Sequence, residues 1–548
     1  MRAVHSRSGS AYARVLTAIA MAIIPAVPVT ADELRIDVAD YPSLDGKELG
    51  HVRRIVELAR QLPGDSSGMG DDVWHAAERT KQFQLQYMAA AIALVQHQYT
   101  PAYRELYKQT IDELIQKMTL PDIWETWMDS SRAGTSAYGG VPADPDATDL
   151  EEGWLDPVRK HNVMLRGPLI QAAGLYEMLY RDGRYLRADA FTFRYMAGTW
   201  GNGPVVFRYS LPDLVKITYD EFVAANYQGV LCEPNRFFPQ CNQPPILGLI
   251  NFDQISGTAY AADVMPKFAA AWKRAGYTDP QTRQNIGWLL VKQKQAGGGG
   301  GPDGWTGPWM YVWNPDFVRP MYQAQRERFL DRFLTGEYAR QVPEFAGKDL
   351  LSLGYGLFAF WAAEMGDHEA REKLIAYADR NFNPVWQDGA YYYPRSLDYQ
   401  ADADGNSHGV SSWTGNVLIA LARLDKGDGF LELYRTPWGE AQLRAPQVTG
   451  VDYLTTNVSQ AYYDSKKDAL IVTLEPGPVK ASRVQFNVVN LDRRQRYRVM
   501  KDGKLMAELS TSAATRTSNL AVDGAGVLTI DTSLDSPHSF VILARRAH

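Results

Sequence analysis

Two thiols, one carboxylate, one guanidinium and three side-chain amides fall within fourteen residues of this chain: Cys232, Glu233, Asn235, Arg236, Gln240, Cys241 and Asn242, all inside Gly229–Asn242. Pro234 and Pro239 stiffen the segment, so it reads as a structured loop and not a helix. Functional groups on a rigid loop above a scaffold suit proton-transfer chemistry. The same spacing admits a plainer reading. Eight residues between the only two cysteines can close a disulfide, worth about 2–3 kcal/mol. Both readings stay open at this point. A metal centre is weakly supported, because no CxxC pair and no nearby histidine accompanies the thiols.

A second group lies in Asp156–Pro168, with Asp156, Arg159, Lys160, His161, Asn162, Met164 and Arg166. His161 at the mouth of a helix could serve as acid or base, or could be structural. A third is the aromatic set Trp305, Trp309, Tyr311 and Trp313, which suits either a pocket wall or a core. It comes after the run Gly297–Gly301, which cannot be a helix interior and is a flexible loop, either over a pocket or on a plain surface. No Lys-Ser/Thr succeeds these glycines, so they are not a P-loop. Neither HExxH nor a GxSxG elbow is present.

These groups must be positioned by helices. From about Leu49 to Arg423 apolar residues recur at i, i+3 and i+4. The pattern predicts helices over Val73–Gln96, Pro101–Met118, His161–Tyr180, Tyr185–Met196, Leu211–Gln228, Val264–Arg274, Pro280–Gln293, Phe317–Leu334, Leu350–Met365, His368–Arg380 and Ser411–Leu424. Short Gly, Pro and Asp breaks separate them, as expected for antiparallel helix pairs in a ring or solenoid. No fixed period marks a repeat array. After a Pro/Gly-rich boundary at Thr436–Gly450 the pattern changes to alternation. It predicts strands over Ala469–Leu474, Val484–Val488, Tyr497–Met500, Gly526–Ile530 and Ser539–Leu543, with a turn at Asp502-Gly503. This is expected to be a β-sandwich over residues 451–548.

The chemistry-bearing motifs together resemble the linalool dehydratase/isomerase family. Cys232-Glu233-Pro234 through Gln240-Cys241-Asn242 matches that family's double-cysteine loop with the same gap. The likeness extends through Trp124-Glu125-Thr126-Trp127, Asp156-Pro157, Asn162-Val163-Met164, Gly174-Leu175-Tyr176, the Trp305 to Trp313 spacing and Glu364-Met365-Gly366-Asp367. It covers roughly residues 70–438. The resemblance implies an (α/α)6 barrel, a toroid, over residues 32–440. It implies removal of water from a small apolar alcohol such as linalool, or isomerisation of one, with neither organic cofactor nor metal. By position it assigns catalytic roles to Cys232, Cys241, Tyr87 and Glu233 and a substrate contact to Met164; Trp309, His161 and Asp65 are the further candidate substrate contacts. The departures are specific. Pro168 stands where the family has a histidine, Trp309 where it has a tyrosine, and Asp65 is the nearest carboxylate in a poorly matched early segment. The β region has no counterpart in the founding enzyme. A homo-oligomer is also implied, although the added β region could block or replace its interface.

Two other classes compete with this reading. A carbohydrate-active hydrolase or lyase would need paired carboxylates about 5–10 Å apart, with Glu125, Asp129, Glu233 and Asp253 as candidates. A non-catalytic binding protein would hold Cys232 and Cys241 merely bridged. The expected partner in the first two cases is a small molecule. Net charge −6 and the lack of a long basic stripe argue against nucleic acid. At the N-terminus, Arg2, Arg7 and Arg14, an apolar run from Val15 to Val29 and the small residues of Val29-Thr30-Ala31 predict a secretory signal peptide over residues 1–31. The run is too short to span a bilayer. The mature chain is therefore expected to be periplasmic or secreted, with no membrane attachment.

Overall fold

The computed structural model describes residues 36–69, 81–131, 153–196, 203–297, 303–330, 348–394 and 410–545. The expected signal peptide lies outside them, as do residues 298–302 of the glycine loop. No described helix is long and apolar enough to cross a membrane.

Helices dominate up to Arg444. They are α1 (Gly46–Arg60), α2 (Lys81–Gln98), α3 (Glu105–Lys117), the short α4 (Pro121–Trp124) and α5 (Trp127–Ser130), α6 (Val163–Tyr180), α7 (Leu211–Ala224), α8 (Gln243–Ser256), α9 (Tyr260–Ala275), α10 (Gly307–Tyr311), α11 (Pro315–Gln325), α12 (Lys348–Glu364), α13 (His368–Asn381), α14 (Ile419–Leu424), α15 (Gly429–Arg435) and α16 (Glu440–Arg444). Their ends are set by local chemistry. Asp45 and Glu48 form a reciprocal capping box at the start of α1. Ser210 and Asp213 do the same for α7. Asp253 accepts the Tyr260 and Ala261 backbone N–H groups and so caps α9.

Two helices are buried almost all round. In α2 every residue from Lys81 to Gln96 is buried, and in α6 every residue from Val163 to Leu179. Such helices lie inside the helical part, surrounded by others. Helices α6 and α8 approach closely because glycine stands at their crossing. A Cβ on Gly248 would come within 2.2 Å of the Ile170 side chain, and one on Gly174 within 2.9 Å of Asn251 Cβ.

Several sequence expectations need correcting. Tyr185–Met196 is not a helix. Its second half is β1 (Phe191–Tyr195), paired antiparallel with β2 (Val205–Tyr209). The alternation of aromatic and polar residues there suits a pleated strand better than a helical stripe. Pro280–Gln293 is also not a helix. The Asp279 side chain captures the Gln281 and Thr282 N–H groups in a turn, and Arg283 takes a left-handed φ of 59°. The chain then enters β4 (Trp288–Leu290), which lies between β3 (Arg236–Phe237) and β5 (Gln295–Gly297). Helix α8 escapes the apolar pattern, because Pro244 and Pro245 look like breakers. They occupy its first turn, where a missing N–H costs nothing. Helix α1 is a further addition to the predicted set. Helix α11 passes into a π-turn at Arg326–Leu330, and α14 is preceded by another at Thr414–Leu418.

A hairpin of β6 (Val385–Gln387) and β7 (Ala390–Tyr392) packs on α1. Beyond it the remaining strands are β8 (Gln447–Thr449), β9 (Thr456–Asp464), β10 (Ala469–Pro476), β11 (Val484–Val489), β12 (Arg496–Lys501), β13 (Lys504–Ser510), β14 (Thr515–Arg516), β15 (Leu520–Val522), β16 (Leu528–Thr532) and β17 (His538–Arg545). They form two five-stranded sheets, one with the order β13-β12-β17-β10-β9 and the other β14-β15-β16-β11-β8. Phe486 of one sheet meets Phe540 of the other at 5.2 Å between ring centroids. Asp502-Gly503 makes the expected turn, both residues having positive φ. All five predicted strands exist; β8, β9, β13, β14 and β15 are additional.

The sheets are tied to the helices. Val38–His548 forms one compact unit. Ala102 N donates to Ala461 O at 3.0 Å, Val448 N to Ala102 O at 2.7 Å, and Leu44 N to Ser459 O at 2.9 Å. Arg53 of α1 donates to Asn457 Oδ1 and Tyr453 O.

Candidate active site

The Cys232 loop is built by turn chemistry visible in its sequence. Glu233-Pro234-Asn235-Arg236 is a tight turn, closed by Arg236 N donating to Glu233 O at 3.0 Å. Proline at the second position and asparagine with φ 68° at the third are what a type II turn requires. Cys232 N then pairs with Arg236 O at 2.9 Å. Asn242 closes the other side. Its side chain accepts from Val230 N and donates to Val230 O and Phe238 O. Gly229, with φ 126°, lets the chain pass the Phe237 ring, which a Cβ would approach to 2.1 Å.

The start of α6 grips this loop from outside. Asn162 N donates to Cys232 O at 2.9 Å and Val163 N to Leu231 O at 3.3 Å. The geometry requires left-handed backbone at both His161 and Asn162. Asn162 tolerates it and adds a bond from its amide to Pro157 O. Buried Arg166 binds Glu221, Thr218 Oγ1 and Val158 O, which fixes the same corner.

Cys232 and Cys241 are both free thiols and both buried, so the disulfide reading fails in this structure. They are hydrogen-bonded neighbours. Burial pushes the Cys232 thiol well up, and the proximity of Cys241 and Glu233 adds to this. Cys241 sits in the 3-10 turn Gln240–Asn242 that leads directly into α8.

Tyr87, on α2, lies within the electrostatic reach of Cys241. Its hydroxyl is raised well above the ordinary value, first by burial and then by the field of Cys241. Its ring stacks on Trp309 at 5.0 Å and meets Trp413 edge-on at 5.9 Å. Trp305 packs against Trp413 at 5.5 Å and against Phe83 at 5.4 Å. The result is an aromatic box of Phe83, Tyr87, Trp305, Trp309 and Trp413 beside two thiols. Behind Trp309 stand Phe360 and Phe430. Phe430 is anchored by its backbone N–H donating to Glu364. Glu364 and Asp425 are neighbours, and burial pushes both carboxyls up.

The predicted residues fare unequally. Cys232, Cys241, Tyr87 and Trp309 are brought together. Glu233 is buried and adjoins Cys232, and Met164 is buried in the first turn of α6. His161 lies half-buried against Trp154, its proton affinity reduced to about 4 by burial and by the nearby Lys160 and Arg166 charges, so it is neutral near pH 7. Asp65 is exposed and bonds Ser67 in its own loop; it does not join the thiols. Pro168 lies inside α6 and offers no proton. Among the other aromatics, Tyr311 bonds Asp428 and Trp313 bonds Gln243, so both are structural ties. Of the hydrolase carboxylates, Asp253 is consumed as a helix cap, Glu125 is exposed, and the Asp129 side chain lies outside the described residues. Phe83 and Trp413 are additions that sequence reasoning does not supply. Phe83 lies one helical turn from Tyr87, a signal present in the sequence; Trp413 carries none.

The family model for linalool dehydratase/isomerase matches residues 82–399, more than half of the chain. The chain belongs to the linalool dehydratase/isomerase family. The matched span contains the double-cysteine loop, Tyr87 and Trp309, and ends before Trp413 and the two sheets. Among solved structures, this family member is similar to an inactive variant of the α-1,6-mannanase GH76A of Salegentibacter sp. HEL1_6, at 10% identity over 71% of this chain and 100% of that one, with TM-score 0.38. It is also similar to a GH127 β-L-arabinofuranosidase from Geobacillus stearothermophilus T6, at 13% identity over 92% and 81%, with TM-score 0.33. Likeness at these scores carries no argument about substrate.

Proposed function

We propose that this family member is a lyase/isomerase that removes water from, or rearranges, a small apolar allylic alcohol by acid–base chemistry. The observation that carries the reading is the pairing of two hydrogen-bonded, reduced thiols with the Tyr87 hydroxyl beside an aromatic box. Cys232 is the member held protonated, so it is assigned the donor's role. Cys241, at the N-terminal end of α8 where the helix dipole favours negative charge, is assigned the acceptor's.

In the proposed dehydration, Cys232 gives its proton to the allylic hydroxyl, the C–O bond breaks and water leaves. Cys241, acting as its thiolate, removes a proton from the adjacent carbon and the C–H electron pair becomes the new double bond. A proton passing back from Cys241 to Cys232 restores the Cys232 thiol and the Cys241 thiolate, and the net change is loss of one water. Aromatic faces favour the positive charge that develops on carbon, and a closed box keeps outside water from capturing it. For isomerisation the same water returns to the far end of the allyl unit.

The site residues Tyr87, Met164, Cys241, Trp309 and Trp413 lie in or near the N-terminal turns of α2, α6, α8, α10 and the segment before α14. This supports an inner ring of helices in an (α/α)6 toroid with its pocket at that end, and a β-sandwich after it. Export, with residues 1–31 removed, and a homo-oligomeric state complete the reading.

The test is incubation of purified, reduced protein with linalool and geraniol, with headspace detection of myrcene and of isomerised alcohol. Product that disappears in Cys232→Ala supports the reading. A folded, reduced protein that forms no product rejects these two alcohols as substrates.

A further inference from the structure

The aromatic box is assembled from separate stretches of chain. Phe83 and Tyr87 come from α2, and Trp413 from the segment that precedes α14. Trp413 is 2% exposed and touches three rings of the box: Tyr87 and Phe83 at 5.9 Å and Trp305 at 5.5 Å. It lies beyond the residues that the family model matches.

Trp413 is followed at once by the π-turn Thr414–Leu418, and such turns often mark functional positions. Asn416 lies in that turn and is buried. Its whole amide is engaged. Nδ2 donates to Gly68 O at 2.5 Å and to Gln84 Oε1 at 3.1 Å, and Oδ1 accepts from Arg54 Nε at 3.3 Å. Gln84 stands on α2 between Phe83 and Tyr87 and is itself buried; its Nε2 donates to Met69 O at 2.7 Å. Ser412, the residue before Trp413, donates to the same Met69 oxygen at 2.8 Å. On its other side the π-turn is closely packed. A Cβ on Gly415 would come within 2.2 Å of Tyr393 O, and one on Gly356 of α12 within 2.6 Å of Leu418 Cβ. Hydrogen bonds between buried amides are directional and costly to break, so this network holds the Trp413 segment and α2 in one register.

We propose that Asn416 is a positioning residue of the candidate site: through Gln84 and Gly68 it fixes the Trp413 ring against Tyr87. Its effect on turnover rests on the dehydration assigned above, and its effect on the geometry of the box does not. An aromatic wall beside the charge that develops on carbon acts more in the transition state than in the ground state. Misplacing it therefore lowers kcat more than it raises KM.

The test uses the reduced full chain with Asn416→Leu, which keeps the size and loses the bonds, and Gln84→Met, which removes the shared bond from the α2 side. With linalool or geraniol, each is expected to lower kcat about tenfold with KM little changed. The double variant is expected to fall by less than the product of the two, because the singles break the same bond. A lower melting temperature with kcat unchanged, or fully multiplicative effects, overturns the proposal. Near-UV circular dichroism reads the box without turnover. Asn416→Leu is expected to change the tryptophan bands while the far-UV spectrum is kept, and to change nothing further in a Trp413→Phe background. A change that persists in that background, or none in the natural one, overturns the proposal. Should the natural chain convert neither alcohol, the dehydration reading fails by itself and the near-UV comparison decides on Asn416 alone. Gln84→Met is read in the same way where Asn416→Leu does not fold.

Discussion

Tyr87 separates two roles that one ring performs at once. Its face stacks on Trp309 while its hydroxyl meets the field of Cys241. Tyr87→Phe keeps the stack and removes the hydroxyl. Turnover is expected to fall by about 10²-fold or more with the melting temperature nearly unchanged, as befits loss of an acid–base group. A large fall in melting temperature instead would make the hydroxyl a structural tie. Asp303 offers a second test at this scale. It accepts from Asn285 N and Gln325 Nε2, and burial pushes its carboxyl up to about 7. A carboxyl raised in the folded state favours folding in its protonated form. Its contribution is complete below about pH 4 and is lost as pH rises through about 7. One pKa unit corresponds to about 1.4 kcal/mol, so the slope is measurable. Asp303→Asn is expected to flatten the fall in melting temperature between pH 4 and 8; an unchanged slope would place the titration elsewhere. At this scale the sequence displays Cys232, Cys241 and, through family likeness, Tyr87. It hides Trp413, because a lone aromatic far along the chain carries no spacing signal. It misleads at Asp65, because proximity in an alignment says nothing about which way a loop faces.

Elements position these groups through backbone conformations that ordinary residues resist. The Cys232 loop depends on Gly229 passing the Phe237 ring at positive φ. Gly229→Ala combines a clash with strain and is expected to destabilise the protein by about 2 kcal/mol or more. The expected signature is a lower denaturant midpoint together with faster reaction of the Cys232 thiol. The opposite corner depends on consecutive left-handed residues, His161 and Asn162, presenting the start of α6 to Leu231 and Cys232. The apolar period makes α3, α6, α7, α12 and α13 readable. It fails at α8, where prolines begin a helix, and at β1, where a short aromatic alternation overlaps a helical stripe. Turn chemistry is the better guide inside the loop, where Pro234 and Asn235 announce the turn that they make.

At the scale of the whole molecule, the two sheets are bound into the helical part. Strand β9 and the segment before it accept or donate bonds from Leu44, Ala102, Arg53 and Tyr41, which are spread over the first third of the helices. Composition reveals that a β region begins near Pro446, but not that it serves as a brace, because bonds between distant segments leave no periodicity. Removing residues 446–548 is expected to abolish soluble expression or cooperative melting of the remainder. A truncated chain that melts cooperatively near the temperature of the full one would make the β region a detachable module. Burial of the thiols has a further consequence. A sulfur that stays protonated and enclosed reacts with disulfides and alkylating agents only when the surrounding structure parts. Cys232 is thus a clock for that opening, and the slow rate at which an alkylating reagent consumes it under native conditions reads how often the helices release their grip on the loop.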